Sequence, residues 1–354
     1  MPTQDQTETL IGAVKEAQGM NTPLVIQGGN TKHFYGRKIE GQALDISAHQ
    51  GVIHYEPTEL VITARAGTPL RELEQRLHKH RQMFPFEPPH FGAQTTLGGA
   101  VAAGLSGPRR PWGGAVRDNV LGVALINGKG ERLHFGGEVM KNVAGYDLAR
   151  TMAGALGTLA VLLEVSIKVS PRPAKEMTYA LSVDNASAIQ LMNTWAALPL
   201  PISATWYDGK DLYVRLSGTE QGVQAAAKTI AGEPLDWSDM FWQNIREQGE
   251  TFFMDDTPLW RLSVPPAMPP LNLPGKTAME WNGALRWLKS DAPAPVIREE
   301  TQQARGHATL FRNGDRTGEV FHPLPPPLLS LHKKFKKAWD PHGIFNPGRM
   351  YKDL

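Results

Sequence analysis

The sequence predicts an α+β protein with two domains. Its 354 residues exceed what one hydrophobic core usually supports, since single cores stop growing at about 250–300 residues. Residues 5–82 predict a helix, four strands and a second helix in that order, which is typical of an α+β layer. Prolines then mark two boundaries, the first at Pro171 and Pro173 and the second between Pro323 and Pro327.

The elements of the N-terminal part follow from hydrophobic periodicity. Apolar residues at Leu10, Ile11, Val14 and Ala17 have helical spacing and predict a helix over 5–19. The helix predicted over 68–82 has Thr68 as the expected N-cap and proline at its first helical position. Between the two helices, short β-branched runs predict four strands, at 24–27, 43–47, 51–57 and 59–67.

A glycine-rich segment at 88–114 interrupts this pattern, and regular elements resume after it. Strands are predicted at 120–127 and 131–137, joined by a hairpin turn in which Gly128 and Gly130 supply positive φ. A helix over 146–156 and a buried strand over 158–171 complete the first domain.

The second domain reads as a smaller α/β unit. The predicted elements are a strand at 178–183, helices at 185–197 and 219–231, and a hairpin at 202–218. The tail after the second boundary is a basic amphipathic helix followed by a hook rich in proline and glycine. The helix fits a docking surface for a partner and a solvated face equally well.

Composition excludes several classes of site. The chain has no cysteine, which excludes disulfides, thiolate zinc sites and cysteine-bound iron–sulfur clusters within it. The net charge of +2 is too mild to indicate nucleic acid binding. The N-terminus does not resemble a secretory signal, and no apolar run reaches the ~20 residues of a membrane-spanning helix. We therefore expect a cytoplasmic protein, with docking to a membrane-associated partner left open.

The loop after the first strand, QGGNTK, offers backbone amides without bulky side chains. Its glycines would let main chain approach a phosphate closely, and successive N–H groups form anion-binding nests. Taken alone, however, Gly-Gly-Asn is more often an ordinary turn than a phosphate-binding loop. The loop matches neither the Rossmann fingerprint nor the P-loop. The choice between a turn and a phosphate-binding loop therefore depends on the rest of the sequence.

The 88–114 segment is difficult to explain as a surface loop. It combines seven glycines with apolar residues such as Leu97 and Val101. Because glycine raises the entropy cost of ordering the backbone, this composition favours main chain packed along a flat ligand. Thr95 and Thr96 add hydroxyl groups.

Two groups of polar residues near this segment could either contact a ligand or have a structural or surface role. Arg109, Arg110 and Arg117 could meet a cofactor or a substrate anion, or lie on the surface. The stretch 141–150 puts Lys141, Asn142, Tyr146 and Asp147 at the entrance to a helix, where a structural role is favoured over ligand contact for any single residue.

Taken together, the motifs resemble a known family. In chain order the sequence contains QGGNT, TLGGAVAAG, RPWGGAVRDNVLG, FGGEVMKNVAGYDL and GALGTLAVLLEVSIKV. These are similar to the PCMH-type FAD-binding domain of the vanillyl-alcohol oxidase superfamily. WDPHGIFNPGRM resembles the C-terminal signature of its lactate/glycolate oxidase branch, and the finer match is to the smaller FAD-binding subunits of bacterial glycolate oxidases.

The resemblance implies a domain plan and a set of cofactor contacts. Residues 1–172 would be the FAD-binding domain, 173–327 a small α/β cap, and 328–354 a segment packing back on the FAD domain. The first loop would cradle the pyrophosphate, the second segment the isoalloxazine and ribityl region, and a third site the adenine end, with two further residues supporting this shell. In that order the residues are Gln27, Gly28, Gly29, Asn30, Thr31 and Lys32; Thr95, Thr96, Leu97, Gly98, Gly99 and Gly104; Gly157, Thr158 and Val161; and Arg117 and Asp118.

Two departures from the family pattern shape the functional expectation. Covalent members carry a histidine after the Gly-Gly of the first loop, where this chain has Asn30, so noncovalent FAD is expected. Catalytic members of the branch carry a metal-holding motif of the G-D-G-N-x-H kind, and the nearest stretch here, RGHATLF at 305–311, matches poorly. The resemblance therefore implies a supporting or relaying flavin subunit, and no general base is identified.

The implied complex oxidises glycolate to glyoxylate. Its other members would be a larger homologous FAD subunit and an iron–sulfur subunit that passes electrons to quinone, and the chain would be peripheral at the inner membrane through them. Two alternatives stay open: a free-standing FAD-dependent 2-hydroxy-acid dehydrogenase, and an assembly protein that has kept the fold and lost the flavin.

Overall fold

The computed structural model describes residues 4–137 and 147–354, and it divides the chain into two compact units. The first unit comprises Met1–Ser106, Ala115–Pro171 and Arg316–Leu354. The second comprises Gly107–Gly114 and Arg172–Asp315. The sequence placed the boundaries after 172 and 327 and assigned all of 107–114 to the FAD-binding domain.

The helices of the described residues are of very different lengths. They are α1 (Thr7–Met20), α2 (Leu70–Lys79), α3 (Leu97–Ala103), α4 (Arg110–Gly113), α5 (Val116–Asn119), α6 (Leu148–Thr151), α7 (Asn185–Ala196), α8 (Glu220–Ile230), α9 (Ser238–Glu247), α10 (Ala294–Gln303) and α11 (Pro326–Trp339).

The strands are mostly short. They are β1 (Leu24–Gln27), β2 (Gln42–Asp45), β3 (Val52–Glu56), β4 (Val61–Arg65), β5 (Gln82–Met83), β6 (Val120–Ile126), β7 (Arg132–Gly136), β8 (Val161–Lys168), β9 (Ser170–Pro171), β10 (Lys175–Ser182), β11 (Ile202–Tyr207), β12 (Asp211–Gly218), β13 (Glu233–Leu235), β14 (Leu259–Ser263), β15 (Lys276–Glu280), β16 (Leu285–Lys289) and β17 (His307–Arg312). The predicted α+β class is confirmed.

The first unit is built on a five-stranded antiparallel sheet in the order β3-β4-β8-β6-β7. Its central strand β8 is buried along most of its length, as the apolar run predicts. β1 and β2 pair in parallel in a separate two-stranded sheet. Helix α2 buries Leu70, Leu73 and Leu77 in the core of this unit, which is the spacing of one helix face.

The second unit contains an eight-stranded antiparallel sheet in the order β13-β10-β12-β11-β15-β16-β14-β17. Helix α7 contributes Ala188, Ile189 and Met192 to a hydrophobic cluster with the buried faces of β11 and β12. A second set of contacts is aromatic: the rings of Phe253 and Trp287 are 5.6 Å apart between centroids. Mixed helix and sheet content was predicted here, and the strand pairing is antiparallel throughout.

Two local predictions about the first unit are wrong. Thr68 does not cap α2: its hydroxyl accepts from the Gly51 N–H at 2.9 Å, and Pro69 occupies the N-cap position. Of the two turn glycines of the β6–β7 hairpin, Gly130 has positive φ, at +71°, and Gly128 does not. Gly128 is required for space instead, because a Cβ there would lie 2.5 Å from Asp340 Oδ1.

Helix α11 is amphipathic, as predicted, and carries the tail back to the first unit. It buries Lys336 and Trp339 and leaves Leu328 and Leu331 exposed. The following hook joins β1, because the Leu24 N–H donates to the Ile344 carbonyl at 2.7 Å. The choice between a docking surface and a solvated face for α11 stays a prediction.

Candidate cofactor site

A cleft of about 390 Å³ opens in the first unit where β1 ends. The whole predicted first loop, Gln27 to Lys32, lines it. From the second predicted segment Thr95, Thr96, Gly98 and Gly99 line it, and from the third Gly157. Residues from three distant stretches of the sequence are thus brought to one cavity.

The first loop packs against the second segment without room for side chains. A Cβ on Gly28 would lie 2.4 Å from Thr96 Oγ1, and a Cβ on Gly29 would lie 1.6 Å from the Gln94 carbonyl oxygen. Atoms do not approach this closely, so both positions require glycine. Asn30 then turns the chain with φ +52°, a conformation that asparagine tolerates better than most residues.

The backbone amides of this loop are arranged as a candidate anion-binding site. Within the part of the chain that the structure describes, the N–H groups of Gly28, Gly29, Asn30 and Thr31 donate to no protein acceptor. Polar main-chain groups of a folded protein are normally paired, and consecutive N–H groups form concave nests for anions. The loop therefore offers donors to a ligand in the cleft.

Hydroxyl groups and a lysine join the first loop to the second segment. Thr31 Oγ1 and Thr95 Oγ1 share a hydrogen bond at 2.5 Å, and Thr95 also donates to the His90 carbonyl. Lys32 Nζ donates to the same carbonyl at 3.0 Å and to Thr95 Oγ1 at 3.3 Å. These contacts fix the position of the lysine and place positive charge beside the amides.

The second segment enters α3 at the cleft. Thr96 is the N-cap, and its hydroxyl accepts from the Gly99 N–H at 3.2 Å. Gly98 packs on the chain after β4, where a Cβ would be 2.7 Å from the Cβ of Ala66. The small residues that suggested a flat ligand therefore serve close helix packing on one side and the cleft on the other.

Asn346, in the C-terminal hook, closes the far end of the cleft. Its Oδ1 accepts from the Ile26 N–H at 2.8 Å, and its Nδ2 donates to the Leu156 carbonyl at 2.6 Å. Gly157 lies against the same amide, since a Cβ there would be 2.6 Å from Asn346 Nδ2. One side chain thus ties the tail, β1 and the 156–157 turn together.

The other predicted cofactor residues of the first unit do not line this cleft. Leu97 and Val161 are buried in the hydrophobic core, and the Thr158 hydroxyl donates to the Ala155 carbonyl. Gly104, with φ +66°, ends α3 against Gly154. Arg117 and Asp118 are exposed, and the Asp118 carboxylate accepts from the Ala115 N–H at 2.9 Å. Their roles in cofactor binding stay predictions.

Arg109 and Arg110 belong to the second unit. Arg109 is buried and forms an ion pair with Glu176, and Arg110 lies over the Trp281 ring at 4.5 Å. Burial by itself would raise the pKa of Glu176, but the guanidinium groups of Arg109 and Arg215 hold that pKa below its ordinary value. Lys141, Asn142 and Tyr146 lie outside the described residues; Asp147 caps α6.

Sequence reasoning missed several residues of the cleft, among them the polar residues Lys38, Arg316, Asn346 and Arg349. Asn346 and Arg349 lie inside the FNPGRM stretch that carried the family resemblance, and that motif was the available signal. For Lys38 and Arg316 no local pattern distinguishes a cleft residue from a surface cation.

The cleft fits a dinucleotide flavin. No acidic side chain is among its lining residues in the described part of the chain, whereas Lys32, Lys38, Arg316 and Arg349 supply positive charge. Unpaired amides and crowded glycines provide a main-chain surface for phosphates, and Val25, Ile39 and neighbouring apolar residues provide a wall for rings. Over residues 4–137 and 147–354, no group of three or more His, Asp or Glu side chains is placed to hold a metal ion.

The chain is similar to a family of FAD-binding domains and to subunits of glycolate oxidases. The family model FAD_binding_4, described as "FAD binding domain", matches residues 3–136. The glycolate oxidase subunit GlcE of Escherichia coli (strain K12) is 49% identical over 350 residues, which cover 99% of each chain. The glycolate oxidase subunit GlcD of Bacillus subtilis (strain 168) is 26% identical over 59% of this chain and 45% of its own length.

Weaker relatives share only part of the chain or only the fold. A D-lactate dehydrogenase of Archaeoglobus fulgidus is 29% identical over 49% of this chain and 38% of its own length. A solved structure of alkyldihydroxyacetonephosphate synthase superposes with a TM-score of 0.66 at 15% identity, covering 98% of this chain and 75% of that one. That likeness concerns the fold. Among the described residues, no helix is both long and apolar enough to cross a membrane.

Proposed function

The chain belongs to the family of the glycolate oxidase subunit GlcE, and we propose that it is the FAD-binding subunit of a multi-subunit glycolate oxidase. The observation that carries this proposal is the 49% identity, which extends over 99% of both chains. FAD is the cofactor of this flavoprotein family. The substrate would be glycolate and the product glyoxylate.

The proposed chemistry divides between cofactor and chain. Bound FAD supplies the acceptor for the hydride equivalent that leaves the CH–OH carbon of the substrate. The chain supplies binding and polarity: the amides of residues 28–31 and the Lys32 ammonium would meet the phosphates, and the 95–99 segment would support the remainder of the cofactor. The electrons would then pass through an iron–sulfur subunit to quinone.

The main substrate site would lie on the larger homologous FAD subunit. The metal-holding G-D-G-N-x-H motif has no counterpart in this sequence. The nearest stretch includes β17, and its His307 is exposed at the first position of that strand. These observations support a role for this chain in supporting the catalytic subunit or relaying electrons.

Co-purification tests the proposed assembly. A tagged full-length chain expressed in its native host should retain a larger flavoprotein and an iron–sulfur protein, and the assembly should reduce a dye with glycolate. The isolated chain should not. Glycolate-dependent dye reduction by the isolated chain at the rate of the assembly would contradict the proposal in favour of a free-standing dehydrogenase.

We expect the FAD to be noncovalent. Asn30 occupies the loop position where covalent members of the family carry a histidine, and an amide side chain cannot form that flavin bond. The purified chain should be yellow and should release all of its flavin into the supernatant on acid precipitation. Flavin fluorescence that stays with the denatured polypeptide in a gel would refute this expectation, and a colourless, flavin-free chain would favour the assembly protein.

A further inference from the structure

Two guanidinium groups of Arg316–Leu354, the last stretch of the first unit and called the C-terminal segment from here on, lie together at the cleft. Arg316 donates from Nε to the Gly36 carbonyl at 2.7 Å and from Nη2 to the His33 carbonyl at 2.5 Å. Arg349 donates from Nη2 to the same His33 carbonyl at 3.1 Å and from Nη1 to the Arg37 carbonyl at 3.1 Å. Both side chains line the cleft.

Over residues 4–137 and 147–354, no carboxylate pairs with either of these two guanidinium groups. Every acceptor of both side chains in the described residues is a neutral carbonyl oxygen, and neither guanidinium forms an ion pair. Both groups are half-buried. Burial lowers the pKa of Arg349 to about 10, and the neighbouring Arg316 charge adds to this effect.

Two like charges held together away from full solvent are costly unless an anion joins them. A guanidinium presents five donors, and each arginine uses only two of its nitrogen atoms here. Donors therefore remain in each fork, whose shape suits phosphate oxygens. Lys38, exposed at the same cleft, adds a third cation without an acidic neighbour in the lining.

We propose that Arg316 and Arg349 bind the pyrophosphate of FAD together with the amides of residues 28–31. The inference rests on the proposed function, because FAD is the ligand that brings two phosphates to this cleft. It makes the C-terminal segment part of the cofactor site. Arg316 is also the first residue of the first unit after the second unit ends at Asp315.

The test measures FAD affinity without turnover. Full-length apoprotein is titrated with FAD, and binding is followed by the change in flavin fluorescence. Arg316→Gln and Arg349→Gln should each weaken FAD binding about 10-fold or more, since each substitution removes a charge-assisted hydrogen bond to a phosphate. Arg37→Gln is the matched control, because Arg37 also holds the tail, through the Gly318 carbonyl at 2.7 Å, but does not line the cleft.

A measurement on the unchanged chain keeps the proposal testable if a variant fails to fold. FAD affinity of the wild type should fall as potassium chloride is raised, because salt screens contacts between arginine and phosphate. The proposal is overturned by glutamine variants that bind FAD within about twofold of wild type, by an equal loss in Arg37→Gln, or by salt-independent binding. A wild-type chain that binds no FAD would instead remove the proposed function itself.

Discussion

Gly29→Ala is expected to abolish FAD binding and to destabilise the first unit. The added methyl carbon would lie 1.6 Å from the Gln94 carbonyl oxygen and 3.1 Å from the Thr95 nitrogen, so two main-chain segments would have to separate. Overpacking in a well-filled site costs about 1–3 kcal/mol, and a clash between backbone segments lies at or above the upper end. The displaced loop would also lose the arrangement of amides at residues 28–31.

The measurements are flavin content after purification and the free energy of unfolding from urea titration of the apoprotein. Gly12→Ala is the matched control. Gly12 lies in α1 with nothing within 4 Å of the added carbon, and there the same substitution should stabilise by about 0.5–1 kcal/mol. A Gly29→Ala protein that purifies with full flavin would show that the two loops do not pack as described.

Local chemistry made part of the site readable from sequence. The β-branched run before Gly28 predicts β1. The loop residues that follow are consecutive, so the sequence alone indicates that their backbone amides lie close together. The glycines of the first loop and of the second segment indicated close approach of main chain, and Gly28 and Gly98 do fill positions that exclude a Cβ. The sequence could not predict which residue each glycine packs against, because Thr96 is distant from Gly28 in the chain and Ala66 is distant from Gly98.

The C-terminal contribution could not be predicted for the same reason. Asn346 bonds Ile26 across 320 residues of sequence, and Arg316 bonds Gly36 across 280. No periodicity or turn signal carries information over such separations. The family motif indicated that FNPGRM matters, but only the fold shows that its asparagine and arginine reach the cleft.

Residues 107–114 show why a domain boundary is difficult to predict from sequence alone. Composition placed this stretch with the glycine-rich segment of the first domain. Arg109 is nevertheless held by Glu176, and the Gly107 carbonyl accepts from Trp281 Nε1 at 3.0 Å. The stretch belongs to the second unit because of its contacts with Glu176 and Trp281, which are far away in sequence. Neither contact can be recognised from the residues around 107–114.

Lys336→Met is expected to cost about 3–5 kcal/mol in the free energy of unfolding of the first unit, the range for breaking a buried ion pair by removing one partner. The ammonium donates to Asp340 Oδ2 at 2.8 Å, to the Thr158 carbonyl at 2.6 Å and to the Phe345 carbonyl at 2.7 Å. Asp340 is 1% exposed, so the substitution leaves a buried carboxylate without its cation. Thermal unfolding followed by circular dichroism measures the loss.

Lys333→Met separates this effect from a change in helix composition. Lys333 lies on the same helix and pairs with Asp353 at 3.0 Å, but both side chains are largely exposed, so we expect no measurable change.

Because Lys336 holds both Phe345 in the hook and Thr158 beside Gly157, its loss should also weaken FAD binding through Asn346 and the turn it supports. Equal stability of the two methionine variants would mean that the tail is not anchored by the buried pair. FAD binding unaffected by a destabilising Lys336→Met would mean that the hook and the cleft are energetically independent.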